Sequence, residues 1–317
     1  MYNIPILLVT YKRKIFLSRL IKKINKINPE KLYLFSDGPR NYYEKKQVEE
    51  VRNTLINEIR ISGKIYKLFS EKNIGIKYYE KRALEFALKD NPYVIYLEDD
   101  IDPTLDFFKF QEKLLPKYEK DKRIIGVAGY NFGFNPKIPN SYFLSRLGWS
   151  WGAGFYKRII DYYDPDVKNY FEIKNKKVYK DRFIDKKVYF YLDTYLSALK
   201  KNKLSFPDLQ LYYISFAYDK YFIVSKLKLV ENIGFNIEGH NPFIFTYKSK
   251  TKRLRKINHP KELIFDPKIE KSYYDKIFTG GWLRLIGIRI YLFSPKWIKK
   301  IIEIFSLKIL RNLLKNV

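Results

Sequence analysis

The sequence predicts an α/β protein with a mostly parallel, Rossmann-like sheet flanked by helices, and three observations support this fold class. Continuous apolar runs such as "IPILLVT" (4–10) are typical of strands that are buried on both faces. These runs alternate with amphipathic helical segments of several turns, which is the pattern of βαβ units. Charged residues follow the predicted strands directly, at the edge where open α/β sheets bind their ligands.

The elements of the first half follow one another in a regular order. After the first strand, apolar residues in the segment 15–27 recur with helical spacing. "KLYLFSDG" (31–38) predicts a second strand that ends at a turn, a charged helix follows, and "KIYKLFS" (64–70) predicts a third strand. "IKYYEKRALEFALKD" (76–90) is an amphipathic helix, and "YVIYLEDD" (93–100) is the next strand.

The second half is less regular than the first. "RIIGVAGYNFG" (123–133) and "SYFLSRLGWSWGAGFYKR" (141–158) predict strands and loops that are rich in glycine and aromatic residues. We expect a helix over "FYLDTYLSALKKN" (190–202), a strand over "LSFPDLQLYYISF" (204–216) and a loop over "LVENIGFNIEGHNPF" (229–243).

Length and composition predict a domain over 1–243 and a basic C-terminal extension over 244–317. The chain of 317 residues is long enough for this arrangement. It contains no cysteine, which excludes disulfides and thiolate metal sites. No apolar run approaches the roughly 20 residues that span a bilayer, and the apolar N-terminus is interpreted as a core strand, not as a signal peptide. The net charge of +28 reflects either an anionic partner or the composition of an AT-rich genome.

Four carboxylates crowd the end of the predicted strand "YVIYLEDD" (93–100), at Glu98, Asp99, Asp100 and Asp102. Carboxylates at such an edge suit Mg²⁺ or Mn²⁺, which bind one or two carboxylates while substrate phosphates fill other positions. The alternative is a solvated turn that caps the next helix. For Asp102 we prefer the helix cap, with Pro103 at the first helical position; for the other three carboxylates we prefer metal and nucleotide binding.

Four motifs carry a resemblance to a known family. "PILLVTYKR", "LFSDGP", "VIYLEDDIDPTLDFFKF" and "YLDTYLSAL" occur in the order found in GT-A glycosyltransferases. The sequence resembles the N-acetylglucosaminyltransferase I type and its bacterial relatives over about residues 4–243. The resemblance implies a GT-A fold and the transfer of a sugar from a nucleoside diphosphate donor to a hydroxyl of a glycan or lipid-linked acceptor. The first candidate for the donor is a UDP-sugar. The transfer would depend on Mn²⁺ or Mg²⁺ and would invert the anomeric configuration. It also implies a role in surface polysaccharide synthesis.

The resemblance assigns donor-binding roles to residues at the ends of the predicted strands. Thr10 and Arg13 would contact the nucleotide, and Asp37 would accept a hydrogen bond from the uracil ring nitrogen. Glu98 would bind the ribose and Asp99 the hydroxyls of the donor sugar. Asp100 would bind the metal.

The resemblance also assigns the general base. Asp193 in "YLDTYL" would take the proton of the acceptor hydroxyl, with Asp185 as the second candidate. Leu192 stands where the relatives carry a tryptophan. The alternative for Asp193 is a surface carboxylate in the first turn of a helix, where the helix dipole favours it.

Four further residues have both a functional and a structural interpretation. Trp149 and Trp151 lie in a glycine-rich segment that resembles an acceptor-side loop, so they either stack on a sugar or pack in the core. Lys77 either reaches a donor phosphate or is solvated. His240, in the polar loop "NIEGHNPF", either folds over the donor or is structural.

The C-terminal segment 295–317 predicts an amphipathic helix with one apolar face and several cations beside it. We prefer the interpretation that it binds an anionic membrane, which places the protein at the cytoplasmic face of the cell membrane; the alternative is packing on the domain.

Nucleic acid is not expected as a partner, because no recognisable binding motif is present. A catalytically inactive scaffold is disfavoured because the charged strand ends are retained, and a nucleotidyltransferase because no glycine-rich loop follows the first strand.

Overall fold

An eight-stranded sheet forms the centre of the computed structural model, which describes residues 1–202, 204, 208–234, 250–278, 281–295 and 297–299. The strands are β1 (Ile6–Thr10), β2 (Lys31–Ser36), β3 (Lys64–Phe69), β4 (Tyr93–Glu98), β5 (Ile101–Pro103), β6 (Ile124–Ala128), β7 (Tyr142–Ser145), β8 (Ala153–Tyr156), β9 (Tyr221–Ser225) and β10 (Val230–Asn232). The helices are α1 (Leu17–Ile27), α2 (Tyr42–Glu58), α3 (Ile76–Leu88), α4 (Leu105–Lys117), α5 (Tyr170–Ile173), α6 (Lys177–Lys180), α7 (Lys186–Lys200), α8 (Asp208–Tyr218), α9 (Pro267–Ile277) and α10 (Gly281–Phe293).

The sheet has the strand order β3-β2-β1-β4-β8-β6-β9-β7. The first four strands are mutually parallel, and β6 is parallel to β9. β8 runs antiparallel to both β4 and β6, and β7 runs antiparallel to β9 at the edge. Helices flank the sheet, so the prediction of an α/β fold with a mostly parallel sheet is confirmed. The elements expected in the first half are all present within a few residues of their predicted bounds.

The strand expected over 204–216 is wrong, because residues from Asp208 onward form helix α8. Nearly all of its residues are buried, which explains the error. A helix that is apolar on all sides shows no 3.6-residue period, so a short apolar run cannot be told from a buried strand by pattern alone. Asp208, an acidic residue at the start of this apolar run, is a helix-start signal that favoured the correct assignment.

The helix-cap prediction for Asp102 is also wrong. The N-cap of α4 is Thr104, whose hydroxyl accepts a hydrogen bond from the Phe107 amide at 3.2 Å. Asp102 instead lies in β5, which pairs antiparallel with β10 and so draws this segment into a two-stranded ribbon. Its carboxylate forms ion pairs with Lys23 and, at 2.5 Å, with Arg19.

Parts of the predicted C-terminal extension pack against the sheet domain. Helix α9 buries Tyr273 and Tyr274 in the main hydrophobic core, and α10 buries Leu285 and Ile288. The proposed boundary at 243/244 lies outside the described residues, as does most of the predicted helix 295–317. Within the described part of the chain, no helix is both long and apolar enough to cross a membrane.

Candidate functional site

The candidate site lies at the carboxyl ends of β1 and β4. After β1 the chain adds β2 and β3 on one side, whereas β4 pairs with β1 on the other side. The strand order therefore reverses between β1 and β4. A reversal of this kind leaves a crevice outside the strand ends, which is the usual ligand site of open α/β sheets.

Arg13 and two carboxylates of the acidic segment meet in this crevice. The Arg13 Nη2 atom lies 3.1 Å from Asp99 Oδ1 and 2.8 Å from Asp100 Oδ2. The Tyr11 amide donates to Asp99 Oδ2 at 3.3 Å. Burial raises the pKa of Asp99 to about 6, with Arg13 opposing the shift and Asp100 adding to it. The structure thus brings together Arg13, Asp99 and Asp100, as the sequence predicted.

Asp100 has one carboxylate oxygen that is buried and has no hydrogen-bond partner in the protein, Oδ1. The other oxygen is approached by the backbone of Gly234, where an added Cβ would lie only 2.3 Å from Oδ2. A buried, unpartnered carboxylate oxygen beside a second acid is an oxygen donor set for Mg²⁺ or Mn²⁺. In the described segments, no three His, Cys, Asp or Glu residues are grouped to hold an ion. The unpartnered oxygen of Asp100 thus fits as one ligand of an ion whose other ligands would come from a substrate.

Glu98 faces a different environment from its two neighbours. Its Oε1 atom accepts hydrogen bonds from Tyr79 at 2.8 Å and from Tyr96 at 3.1 Å. Burial, followed by the negative charges of Asp100 and Asp208, raises the pKa of Glu98 to about 8. Its carboxyl group is held by these two tyrosines, and its predicted contact with the ribose stays a prediction.

Asp208 is a functional candidate that the sequence reasoning missed. It lies in the first turn of α8, and its Oδ1 atom accepts hydrogen bonds from the Ser150 amide at 2.9 Å and from the Ser150 hydroxyl at 2.8 Å. Burial raises the pKa of Asp208 to about 6. Its negative charge contributes to the raised pKa of Glu98 and of Glu80.

Trp149 and Trp151 flank Ser150 and are both buried, with exposed fractions of 2% and 7%. Their rings lie 5.2 Å apart, and Phe132 lies 4.6 Å from Trp149. The Trp149 ring also contacts Tyr212 of α8 at 5.3 Å. Core packing is the interpretation that these contacts support, and stacking on a sugar stays a prediction. The cluster joins the loop of Ser150 to the helix that carries Asp208.

Asp37 anchors the loop that precedes α3. Its two oxygens accept hydrogen bonds from the amides of Gly38, Ile74 and Gly75 at 2.8, 2.7 and 3.2 Å. The Asn73 side chain adds a fourth at 2.9 Å. These bonds tie the carboxyl end of β2 to the loop, so Asp37 positions this wall of the crevice.

Two other predicted donor-side residues are held by the protein itself. The Thr10 hydroxyl is buried and donates to the Phe35 carbonyl at 3.3 Å. Lys77 forms an ion pair with Asp166 at 2.7 Å, and this contact raises the pKa of Lys77. Their predicted nucleotide contacts are not tested by this geometry.

Asp193 lies in the middle of α7 and is buried, so the alternative interpretation, a surface carboxylate in the first turn of a helix, is wrong, whereas its role as general base stays a prediction. Its carboxylate accepts hydrogen bonds from Tyr170 at 2.8 Å, Lys174 at 2.9 Å and Arg289 at 3.0 Å. Burial raises the pKa of Asp193, but the hydrogen bonds, led by that from Lys174, outweigh it and hold the pKa below the usual range. These contacts join α7 to α10 and to the end of α5.

The remaining predicted residues have clear placements. Asp185 is the N-cap of α7, where it accepts from the Lys187 amide at 2.7 Å, and it forms an ion pair with Lys271 at 3.1 Å. His240 lies outside the described residues. No protein-family model matches this chain.

Proposed function

We propose that this chain is a metal-dependent glycosyltransferase that moves a sugar from a nucleoside diphosphate donor to a hydroxyl of a glycan or lipid-linked acceptor. The first donor to test is a UDP-sugar. The observation that carries the proposal is the convergence of Arg13, Asp99 and Asp100 at the reversal of strand order. Such a site combines a cation for phosphate with carboxylates for sugar hydroxyls or an ion.

On the donor side, Asp100 would hold Mn²⁺ or Mg²⁺ through its unpartnered Oδ1 atom. A bound divalent ion supplies charge stabilisation to the departing diphosphate. Arg13, whose side chain is 36% exposed, can turn from the carboxylates to the diphosphate once an ion neutralises them. Asp99 is then free to accept hydrogen bonds from sugar hydroxyls, in line with its predicted role.

On the acceptor side, we assign the general base to Asp208 in place of Asp193. Both carboxylate oxygens of Asp193 are engaged, Oδ1 by Tyr170 and Lys174 and Oδ2 by Arg289, whereas the hydrogen bonds from Ser150 engage Oδ1 of Asp208. The raised pKa of Asp208 and the lowered pKa of Asp193 agree with this choice, because a base must be able to take up a proton. In the step, a carboxylate oxygen of Asp208 takes the proton of the acceptor hydroxyl. The hydroxyl oxygen forms a bond to the anomeric carbon, and the bond from that carbon to the diphosphate oxygen breaks, with its electron pair leaving on the diphosphate.

Metal-dependent nucleotide binding tests the donor side directly. We expect UDP to raise the melting temperature of the protein only in the presence of Mn²⁺ or Mg²⁺, and Asp100→Asn to abolish this shift. Asp102→Asn is the matched control, because it removes a neighbouring carboxylate whose partners are Arg19 and Lys23. The control should lower the melting temperature without ligand but keep the UDP-dependent shift. Equal UDP binding by wild type and Asp100→Asn, with or without metal, would falsify the assignment.

A further inference from the structure

A cationic cavity of about 270 Å³ lies between the end of α5, the second half of α7 and the second half of α10. Its lining combines three cations, one hydroxyl and two aromatic rings, from Lys174, Lys201, Arg289, Ser197, Phe171 and Phe293. The wall of the cavity includes Lys174 and Arg289, two of the residues that bind the Asp193 carboxylate.

The charges of the cavity do not cancel. Lys174 and Arg289 both bind the Asp193 carboxylate, at 2.9 and 3.0 Å. The third cation, Lys201, lies over the Phe293 ring, with its Nζ atom 5.4 Å from the centroid. Three cations against one carboxylate leave a net charge of +2, and the Arg289 side chain is 41% exposed. A cavity with surplus donors from two lysines and an arginine suits a phosphate group.

Helix α10 next to the cavity is apolar on two opposite faces. Leu285 and Ile288 are buried, whereas Leu283 is 87% exposed, Ile286 44% and Ile290 55%. The spacing of three and four residues places the exposed side chains on one stripe, away from the buried pair. Trp282, at the start of the helix, is 45% exposed, and Trp297, four residues after the helix ends, is 65% exposed.

The charge of α10 indicates what kind of partner would cover the exposed stripe of Leu283, Ile286 and Ile290. The helix contains Arg284 and Arg289 and no acidic residue. A helix with an apolar face, a tryptophan near its start and only cations among its charged residues is typical of the membrane interface, where apolar side chains enter the headgroup boundary and cations meet anionic lipid. Phe293 of the cavity lies three residues after Ile290, so stripe and cavity adjoin on one side of the helix.

We propose that the exposed face of α10 docks on an anionic lipid bilayer, with a lipid phosphate bound in the cavity between Lys174, Lys201 and Arg289. Leu283, Ile286 and Ile290 enter the headgroup boundary, and the three cations bind the phosphate of a lipid at its edge. The membrane contact is thereby assigned to α10 and not solely to the segment 295–317. Docking in this way does not depend on the glycosyltransferase proposal.

Co-sedimentation of the full chain with vesicles tests the docking surface. We expect binding to vesicles of phosphatidylcholine mixed with phosphatidylglycerol, and little binding to phosphatidylcholine alone. The double variant Leu283→Gln, Ile290→Gln should weaken binding by about tenfold or more, since it removes two apolar side chains from the stripe. Ile56→Gln on α2 is the matched control, because Ile56 is also half-exposed, at 50%, and lies on another helix.

The cavity is tested by Lys201→Gln, which should weaken vesicle binding about fivefold, the ratio that corresponds to roughly 1 kcal/mol for one cation near an anionic surface. Lys113→Gln, an exposed lysine of α4, is its control and should bind as wild type.

Equal binding by the Leu283/Ile290 double variant and wild type overturns the proposal. So does loss of binding in Lys308→Gln, Arg311→Gln but not in the α10 variant. Titration with inorganic phosphate separates the two sources of the anion: tight phosphate binding that Lys201→Gln abolishes, without vesicle binding, assigns the cavity to free phosphate and overturns the lipid proposal.

Discussion

Asp208 and Asp193 show how the pKa of the same side chain depends on its surroundings. Asp208 is buried, and burial raises its pKa to about 6 although hydrogen bonds from Ser150 oppose the shift. Asp193 has an arginine, a lysine and a tyrosine around it, so its pKa is lowered. The first arrangement favours a proton acceptor near neutral pH, and the second favours a permanently ionised link between helices.

This contrast predicts different outcomes for two isosteric variants. Asp208→Asn should lower the rate of sugar transfer by on the order of 10²–10⁴, because the proton acceptor is lost, with little change in UDP affinity. Asp193→Asn should leave the rate within a few-fold of wild type but lower the free energy of unfolding by about 1–3 kcal/mol, since charged hydrogen bonds to Lys174 and Arg289 are weakened. Initial rates and urea unfolding of both variants measure the two effects. A full rate in Asp208→Asn together with a large rate loss in Asp193→Asn would return the base role to Asp193.

The β5–β10 ribbon is the element that shapes the metal side of the crevice. The Ile233 amide donates to the Asp100 carbonyl at 2.9 Å, directly after β10 ends. Gly234 follows and packs against the Asp100 carboxylate. The ribbon therefore presses backbone against the carboxylate that is proposed to hold the ion, and only a residue without a side chain fits there.

Gly234→Ala should for this reason abolish metal-dependent UDP binding, because the new Cβ would lie 2.3 Å from Asp100 Oδ2 and displace it. Gly287→Ala is the matched control, since a Cβ at Gly287 meets nothing within 4 Å. In the interior of α10 this control should raise the free energy of unfolding by roughly 0.5–1 kcal/mol and leave UDP binding unchanged. Thermal shift with UDP and Mn²⁺ measures both variants. Unchanged UDP binding in Gly234→Ala would show that the ribbon does not constrain the site.

At the scale of the whole molecule, α9 is part of the folded body. Glu270 of α9 is buried, and its Oε1 atom accepts from the Arg146 amide at 2.9 Å and from the Tyr274 hydroxyl at 2.7 Å. Its Oε2 atom is buried without a hydrogen-bond partner. Burial raises the pKa of Glu270 above its ordinary value of 4.5. The packing of α9 on the sheet domain thus includes a carboxyl group that resists ionisation.

The raised pKa predicts a pH dependence of stability. The folded protein keeps the Glu270 proton at a pH where the unfolded chain has lost it, so this contribution to the free energy of unfolding is full below pH 4.5 and is lost as the pH rises through the raised pKa. Glu270→Gln has no carboxyl group to ionise at this position, so its free energy of unfolding does not fall in this way. As the pH rises above 4.5, the wild type should therefore lose stability relative to Glu270→Gln. Urea unfolding across that range measures the difference. Glu49→Gln, on the exposed surface of α2, controls for removal of a negative charge; a parallel pH dependence in wild type and Glu270→Gln would contradict the prediction.

The sequence by itself determined the regular first half of the fold and the acidic end of β4. Those elements have strong local patterns, because strands buried on both faces are apolar throughout and surface helices alternate with a 3.6-residue period. The carboxyl ends of parallel strands meet at one edge, so the positions of Arg13, Asp99 and Asp100 directly after predicted strands were enough to place them at that edge.

The tertiary structure decided what local pattern leaves open. Helix α8 is buried on nearly all sides and has no period to mark it, so Asp208 was hidden within a predicted strand. Which acid of a helix faces a site depends on what that helix packs against, and α7 turns Asp193 toward Lys174 and Arg289. The fate of Asp102 depended in the same way on a strand more than a hundred residues later in the chain, β10. Contacts between distant segments are set by the packing of the whole core, and no window of the sequence contains them.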